Sequence, residues 1–315
     1  MSPLRKKRYT VACLSGDGIG PEMTAEASRA LAEVSHMHGF SVEELHVPFG
    51  GDALRRFGHP LPPATRAACL AADAVLVAST REPALEGVKA DLDLAWRITR
   101  VCAQGSELAV VSPLGDDATG LAVDRAFRLA FSRRARLTSV GGAAGWHAAL
   151  ASSAERWDGV LVERRRFEEA LAGLLRDPAG FDVLVSEQPF AEALAGTAAT
   201  AHEGTRMVAS GRLGADGKGV FGPTHGSAPQ LAGQGVANPS AMLLAAALML
   251  GEGLGERSAA RTLERAVVET LVNGVRTPDL VSSGAGATTR EFMDTLLASL
   301  PSARLDTEFA GVAAA

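Results

Sequence analysis

Short runs of β-branched and apolar residues alternate with helical stretches through most of the chain, and this alternation constrains the fold more than any single motif. Residues 9–14 (YTVACL), 74–79 (AVLVAS), 108–112 (LAVVS), 137–140 (LTSV), 159–163 (GVLVE) and 181–186 (FDVLVS) read as buried strands. Between them, residues 21–34 place Met23, Ala27, Ala30, Leu31 and Val34 on one side of a helix, and helices are also expected over 123–134 and 167–176. Strands joined through helices need crossover connections, so the pattern predicts an α/β fold with a largely parallel sheet. The C-terminal third departs from it, with helices expected over 239–252, 258–271 and 289–300.

Composition removes several function classes. The 315 residues are 47% hydrophobic and 21% charged, which is enough for one large or two medium domains. A net charge of -5 argues against nucleic-acid binding, and the basic stretch RKKR at 5–8 reads as a solvated tail. The apolar run 241–250 falls short of the ~18 residues that a membrane span needs. No signal peptide is expected, because the opening charge runs straight into a strand. Cys13, Cys69 and Cys102 form no CxxC pair and are odd in number, as expected of free buried thiols in the cytoplasm.

Two glycine-rich stretches carry the functional signal. SGDGIGPE (15–22) joins the first strand to a helix, with Pro21 suited to the first helical position and Glu22 to the positive helix start. Amides at such a start, near Gly18 and Ile19, can face an anion. Pro21 breaks the GxGxxG spacing, so the standard dinucleotide fingerprint is absent. The second stretch, GPTHGSAPQLAGQGVANP (222–239), stands directly before the apolar run of the 241–250 helix.

Together, GDGIGPE and HGSAPQLAGQGVANP resemble the NAD(P)-dependent β-decarboxylating dehydrogenases of isopropylmalate, isocitrate and tartrate. PFGGDAL (48–54), FDVLVS before a helix, and TPDLVSSGAGATTREF (277–292) extend the resemblance over nearly the whole chain. It implies two α/β domains with an interdomain cleft: residues 1–100 with 209–315 as the larger, and 101–208 as the smaller with a shortened arm. It also implies that the 222–239 loop wraps the adenosine half of the cofactor. His225 would lie against the adenine and Asn238 would bond its edge, while Gly226, Ser227 and Ala228 would let the backbone approach. Gln230 stands where NAD-using members place an aspartate. Its neutral amide is a poorer partner for a ribose diol, and it offers no cation to a 2′-phosphate. NAD is therefore preferred modestly, and NADP stays open.

The same resemblance exposes departures. The arginine helix that grips substrate carboxylates corresponds to DLDLAWRITRVCAQG (91–105), where Arg97 and Arg100 lie near the family positions but not on them. They are candidates for reuse or for an ion pair. The family's catalytic tyrosine segment is mostly missing, and Tyr9 is the chain's one tyrosine. The lysine motif VDKAN becomes VGGAA at 140–144, with Gly142 in the lysine position and His147 nearby as a substitute base. The three metal-binding aspartates become Glu168, Glu192 and Gly196, which leaves two candidate Mg²⁺ or Mn²⁺ ligands, or two solvated helix glutamates. Three readings stay open: a noncatalytic homologue that keeps NAD binding, an NAD-dependent oxidoreductase on another small 2-hydroxy acid, and an interaction subunit without cofactor. The expected partners are a small carboxylic acid and a second subunit, as homodimer or as hetero-oligomer with a family member.

Overall fold

The computed structural model describes residues 7–81, 83–103, 106–142, 145–201, 207–281 and 284–313. They form two compact units, one of residues 1–92 with 217–315 and one of 93–216.

The first unit opens with β1 (Arg8–Leu14), α1 (Gly20–His38), β2 (Ser41–His46), α2 (Gly50–Phe57), α3 (Pro63–Ala71), β3 (Ala74–Val77) and α4 (Leu85–Asp91). In α1 the expected stripe of Met23, Ala27, Ala30, Leu31 and Val34 is buried, and Pro21 lies in the first turn. Gly39 ends the helix at φ 79°, a left-handed position that suits glycine.

The second unit contains β4 (Trp96–Ala103), β5 (Ser106–Pro113), α5 (Thr119–Phe131), β6 (Arg136–Val140), α6 (Trp146–Arg156), β7 (Leu161–Arg164), α7 (Phe167–Arg176), β8 (Val183–Ser186), α8 (Phe190–Ala201) and β9 (Val208–Leu213). The chain then returns to the first unit through β10 (Gly219–Pro223), α9 (Ser240–Leu248), α10 (Arg257–Val272) and α11 (Thr289–Ala313).

In the first unit the strands run β2-β1-β3-β10, all parallel. All nine residues of α9 are buried, because a helix that is apolar on every side can only be a core element. In the second unit the order is β9-β4-β5-β8-β6-β7. β4 is antiparallel to both β5 and β9, and the remaining pairs are parallel. Alternate side chains go to opposite faces of this sheet. Leu108, Val110 and Leu184 join Leu174, Leu194 and Ala198 of α7 and α8 in one cluster, while α5 packs against β5, β6 and β8.

Three segments differ from expectation. Residues 91–105 do not form an arginine helix: Trp96 to Ala103 is strand β4, held between two antiparallel neighbours. The β-branched Ile98, Thr99 and Val101 suit a strand, and pairing on both sides overrides any helical tendency. Segment 159–163 becomes β7, but as an edge strand with Leu161 68% exposed rather than as a buried one. The units divide at 92/93 and 216/217, outside the expected 100 and 208. β4 and β9 pair from Trp96↔Leu213 to Val101↔Val208, so they stay in one body.

Candidate functional site

The first unit holds the 222–239 loop, which packs directly onto the glycine turn after β1. Gly18 has φ +61°, and a Cβ there would lie 1.9 Å from the carbonyl oxygen of Ser227. No side chain fits between the two segments. The Ile19 N–H donates to that same carbonyl at 2.9 Å, and the Gly20 N–H donates to the Asp17 carbonyl at 3.0 Å. The Ile19 and Gly20 amides at the start of α1 are thus engaged within the chain. Gly18 and Ile19 locate the loop.

The Asp17 side chain has a separate task. Its carboxylate accepts the Gly51 N–H at 2.6 Å, in the first turn of α2. A Cβ at Gly50 or Gly51 would come within 2.7 Å of the carboxylate oxygens. This is why two glycines stand together in PFGGDAL, and the anion placed at that helix start is the protein's own.

The loop is fastened mainly by its backbone. The Pro223 carbonyl accepts from both the N–H and hydroxyl of Thr80 at 3.0 Å. The His225 carbonyl accepts from Ser79 at 2.8 Å. Glu22 accepts the Gly233 N–H, and Thr289 donates its N–H to Gly235 at 2.9 Å and its hydroxyl to Ala237 at 2.6 Å. A side chain at Gly222 would meet the Val77 carbonyl at 2.4 Å, so only glycine fits there. Ala228 takes a left-handed conformation at φ 39°, and Gly226, Gln230 and Gly233 to Gly235 remain exposed.

Two side chains in the loop carry distinctive chemistry. His225 Nδ1 lies 2.9 Å from the Gly226 carbonyl, which can only accept, so Nδ1 bears the proton and Nε2 keeps its lone pair. Burial pushes the imidazole below its usual range against weaker upward pulls from the Gly226 carbonyl and Asp279, and Arg81 adds the smallest downward push. The ring is therefore neutral at pH 7 and able to stack on a purine. Asn238 accepts the Ser240 N–H at 2.9 Å and donates to Asp279 at 3.3 Å. At either end of the loop, the Thr224 and Ser240 hydroxyls are buried without a hydrogen-bond partner among the described residues. Unmatched buried hydroxyls beside a small-residue cradle fit a polar ligand such as a dinucleotide.

In the second unit the end of β6, the starts of α6 and α7 and the segment after β7 enclose a recess of about 470 Å³. His147 and Glu168 line it, with Gly141, Gly142, Arg164 and Glu187. A Cβ at Gly141 would meet the Trp146 ring at 2.7 Å, and that indole is fixed by a 2.9 Å bond to Ser139. Gly142 is different: a Cβ there meets nothing within 4 Å, and its N–H donates to Glu187 at 2.8 Å. Residues 143 and 144 of the VGGAA stretch lie outside the described residues. Arg165 is paired with Glu163 and Arg166 with Glu169, while Arg164 forms no ion pair among the described residues.

The other candidates lie elsewhere. Arg97 and Glu192 pair with each other at 2.5 Å and line a small separate hollow with Ser112 and Gln188. Arg100, three residues along the strand, goes to the opposite face. There it joins Glu107, Arg133 and Asp182 in an ion network. Neither Glu168 nor Glu192 belongs to a three-ligand group among the described residues. Glu187 and Arg164 went unread in the sequence, although an acid and a base directly after strand ends were visible there.

A family model described as isocitrate/isopropylmalate dehydrogenase matches residues 10–95 and 107–296. A 3-isopropylmalate dehydrogenase of Synechococcus sp. (strain CC9902) is 36% identical over 338 residues, covering 88% of this chain and 95% of that protein. The chloroplastic 3-isopropylmalate dehydrogenase 1 of Arabidopsis thaliana is 31% identical, covering 89% and 83%. Among solved structures, isocitrate dehydrogenase from Methylococcus capsulatus superposes with a TM-score of 0.76 at 24% identity, covering 93% of this chain and 99% of that one. No helix among the described residues is long and apolar enough to cross a membrane.

Proposed function

The chain belongs to the isocitrate/isopropylmalate dehydrogenase family, and on that premise we propose that it binds NAD through the 222–239 loop while lacking the groups for oxidative decarboxylation. Its role is then that of a noncatalytic or regulatory homologue. The observation that carries this reading is Gly142. In the resemblance it takes the lysine position, and here it offers only an amide, already held by Glu187.

The supply of replacements is poor. Residues 93–216 contain no lysine and no tyrosine. Tyr9 donates to Glu256 at 2.7 Å, Lys7 pairs with Glu256, Lys89 with Glu86, and Lys218 donates to the Leu70 carbonyl. β5 passes into α5 through a single 3-10 turn at Asp116–Ala118, which leaves no room for an arm. An alignment of 338 positions on a chain of 315 residues likewise requires gaps on this chain's side. Each lost proton-transfer or charge-stabilising group costs a factor of roughly 10²–10⁴.

NAD supplies a hydride acceptor when bound. The neutral His225 ring would stack on the adenine, Gln230 would bond the ribose, and Asn238, already tied to Asp279, would present its remaining amide hydrogen. NADP is disfavoured only by the lack of a cation at Gln230. Direct titration with NADH and NADPH, alongside turnover assays on 3-isopropylmalate, isocitrate and tartrate with Mg²⁺ or Mn²⁺, tests the proposal. NADH binding without turnover is expected, and turnover at dehydrogenase rates refutes it.

A second reading rests on the recess. His147, Glu168 and the unpaired Arg164 together could hold and deprotonate another small 2-hydroxy acid. NAD reduction by such an acid, lost in His147→Ala or Glu168→Gln, would favour this reading over the first. A third role, as an interaction subunit, would follow if no NAD(H) binds at all. For association, the proposed surface is α7 with α8, where Phe167 and Phe190 stack at 4.8 Å and Leu175 is 63% exposed. Mass in solution, alone and with a family member, separates a homodimer from a hetero-oligomer.

A further inference from the structure

Three metal-ligand side chains of different kinds meet at the edge of the first unit. Cys13 lies on β1, and Glu44 and His46 lie on the neighbouring edge strand β2. Glu44 and His46 are two residues apart and share a face, and Cys13 is opposite His46 in register. The Cys13 Sγ is 3.6 Å from Glu44 Oε2, the His46 Nε2 is 3.3 Å from the same oxygen, and all three ligand atoms lie within 4.8 Å of one another.

The two edges that meet at Glu44 Oε2 match those of a tetrahedral zinc centre. With Zn–S at about 2.3 Å and Zn–N and Zn–O at about 2.0–2.1 Å, tetrahedral angles place S and O about 3.5 Å apart and N and O about 3.3 Å apart. The geometry points to a Zn²⁺ site formed by Cys13, Glu44 and His46, with the fourth position left to solvent. Ser28 of α1 donates its hydroxyl to Glu44 and orients the carboxylate, the part that second-layer partners play at metal centres.

Charge and access agree with this assignment. A thiolate and a carboxylate balance the dication, and His46 binds as the neutral imidazole. The thiol proton leaves to solvent as the S–Zn bond forms. Burial, and then the Glu44 charge, push the Cys13 thiol up. A cation at this point reverses that penalty. Cys13 is fully buried on a central strand and Glu44 is 16% exposed, whereas His46 is 53% exposed and gives the ion a way in. All three ligands come from two adjacent strands of one sheet, so little ordering is needed on binding.

The site is tested on the full-length protein, stripped with chelator and titrated with Zn²⁺ and with Co²⁺. One Zn²⁺ per chain is expected. Co²⁺ should produce thiolate-to-metal charge-transfer absorption with visible bands of tetrahedral intensity. His46→Gln, an exposed position whose fold is checked by circular dichroism, should lower Zn²⁺ affinity at least ~10-fold, the scale on which loss of metal-site partners is felt. Cys13→Ser should remove the charge-transfer band. The inference is overturned if folded protein gives no such band with equimolar Co²⁺. It is also overturned if the band and affinity survive both substitutions, since Cys69 or Cys102 would then be the ligand. A metal held by Glu168 in the second unit would give no sulfur band, so the outcome does not depend on the proposed function.

Discussion

Substitution of Gly18 by alanine tests the connection between the glycine turn and the 222–239 loop. At φ +61° an L-residue costs about 1–2 kcal/mol. The new methyl would sit 1.9 Å from the Ser227 oxygen and 2.7 Å from its carbonyl carbon, so the loop must move. Moving it breaks the 2.9 Å bond from Ile19 N–H to Ser227, worth about 1 kcal/mol. The sum, about 2–3 kcal/mol, lowers Tm by roughly 4–12 °C at about 2–4 °C per kcal/mol. If the loop holds the nucleotide, NADH affinity falls as well, by at least ~10-fold or about 1.4 kcal/mol. Differential scanning fluorimetry and NADH fluorescence titration on the same samples read both quantities, with Gly142→Ala as a control where a methyl meets open space. An unchanged Tm would refute the packing argument. A lowered Tm with unchanged NADH affinity would refute the loop as the nucleotide site.

Gly142→Lys should change stability by less than ~0.5 kcal/mol, because the space around its Cβ is open, and thermal melts check this. On the proposed function it should not restore turnover on 3-isopropylmalate, because a lysine alone leaves the other proposed losses in place. Burial alone would push the Glu107 carboxyl up, but Arg100 and Arg133 outweigh it and hold it at about 2. Its folded value lies below the unfolded one near 4.3, so its contribution is complete above the unfolded value. That contribution, about 3 kcal/mol, is lost as pH falls from about 4 toward 2. Urea unfolding across that range should show the loss. Glu107→Gln should remove that step, and at neutral pH it should cost about 1–3 kcal/mol by withdrawing the carboxylate that Arg100 and Arg133 share, while Arg133 keeps Asp182. The Arg97–Glu192 pair, with Glu192 60% exposed, should show a coupling of only ~0.2–1 kcal/mol in a double-mutant cycle of stabilities.

The sequence by itself determined the elements whose periodicity is strong. The α1 stripe, the AVLV and VLVS strands and the all-apolar α9 are legible because burial on one face or on all faces leaves a repeating chemical pattern. The two glycine-rich motifs were equally legible, since Gly16, Gly18, Gly233 and Gly235 take positive φ and Gly18 and Gly222 admit close backbone approach. Tertiary structure decided the rest. Whether 96–103 is helix or strand depends on having β5 and β9 on either side, and β9 comes from more than 100 residues further along the chain. That Asp17 holds the start of α2, that Arg97 meets Glu192, and that Arg100 lies in an ion network are consequences of strand pairing and face. The meeting of Cys13, Glu44 and His46 is the clearest case. Three unremarkable residues in two separate segments become neighbours only through the parallel register of β1 with β2, which no local pattern in either segment encodes.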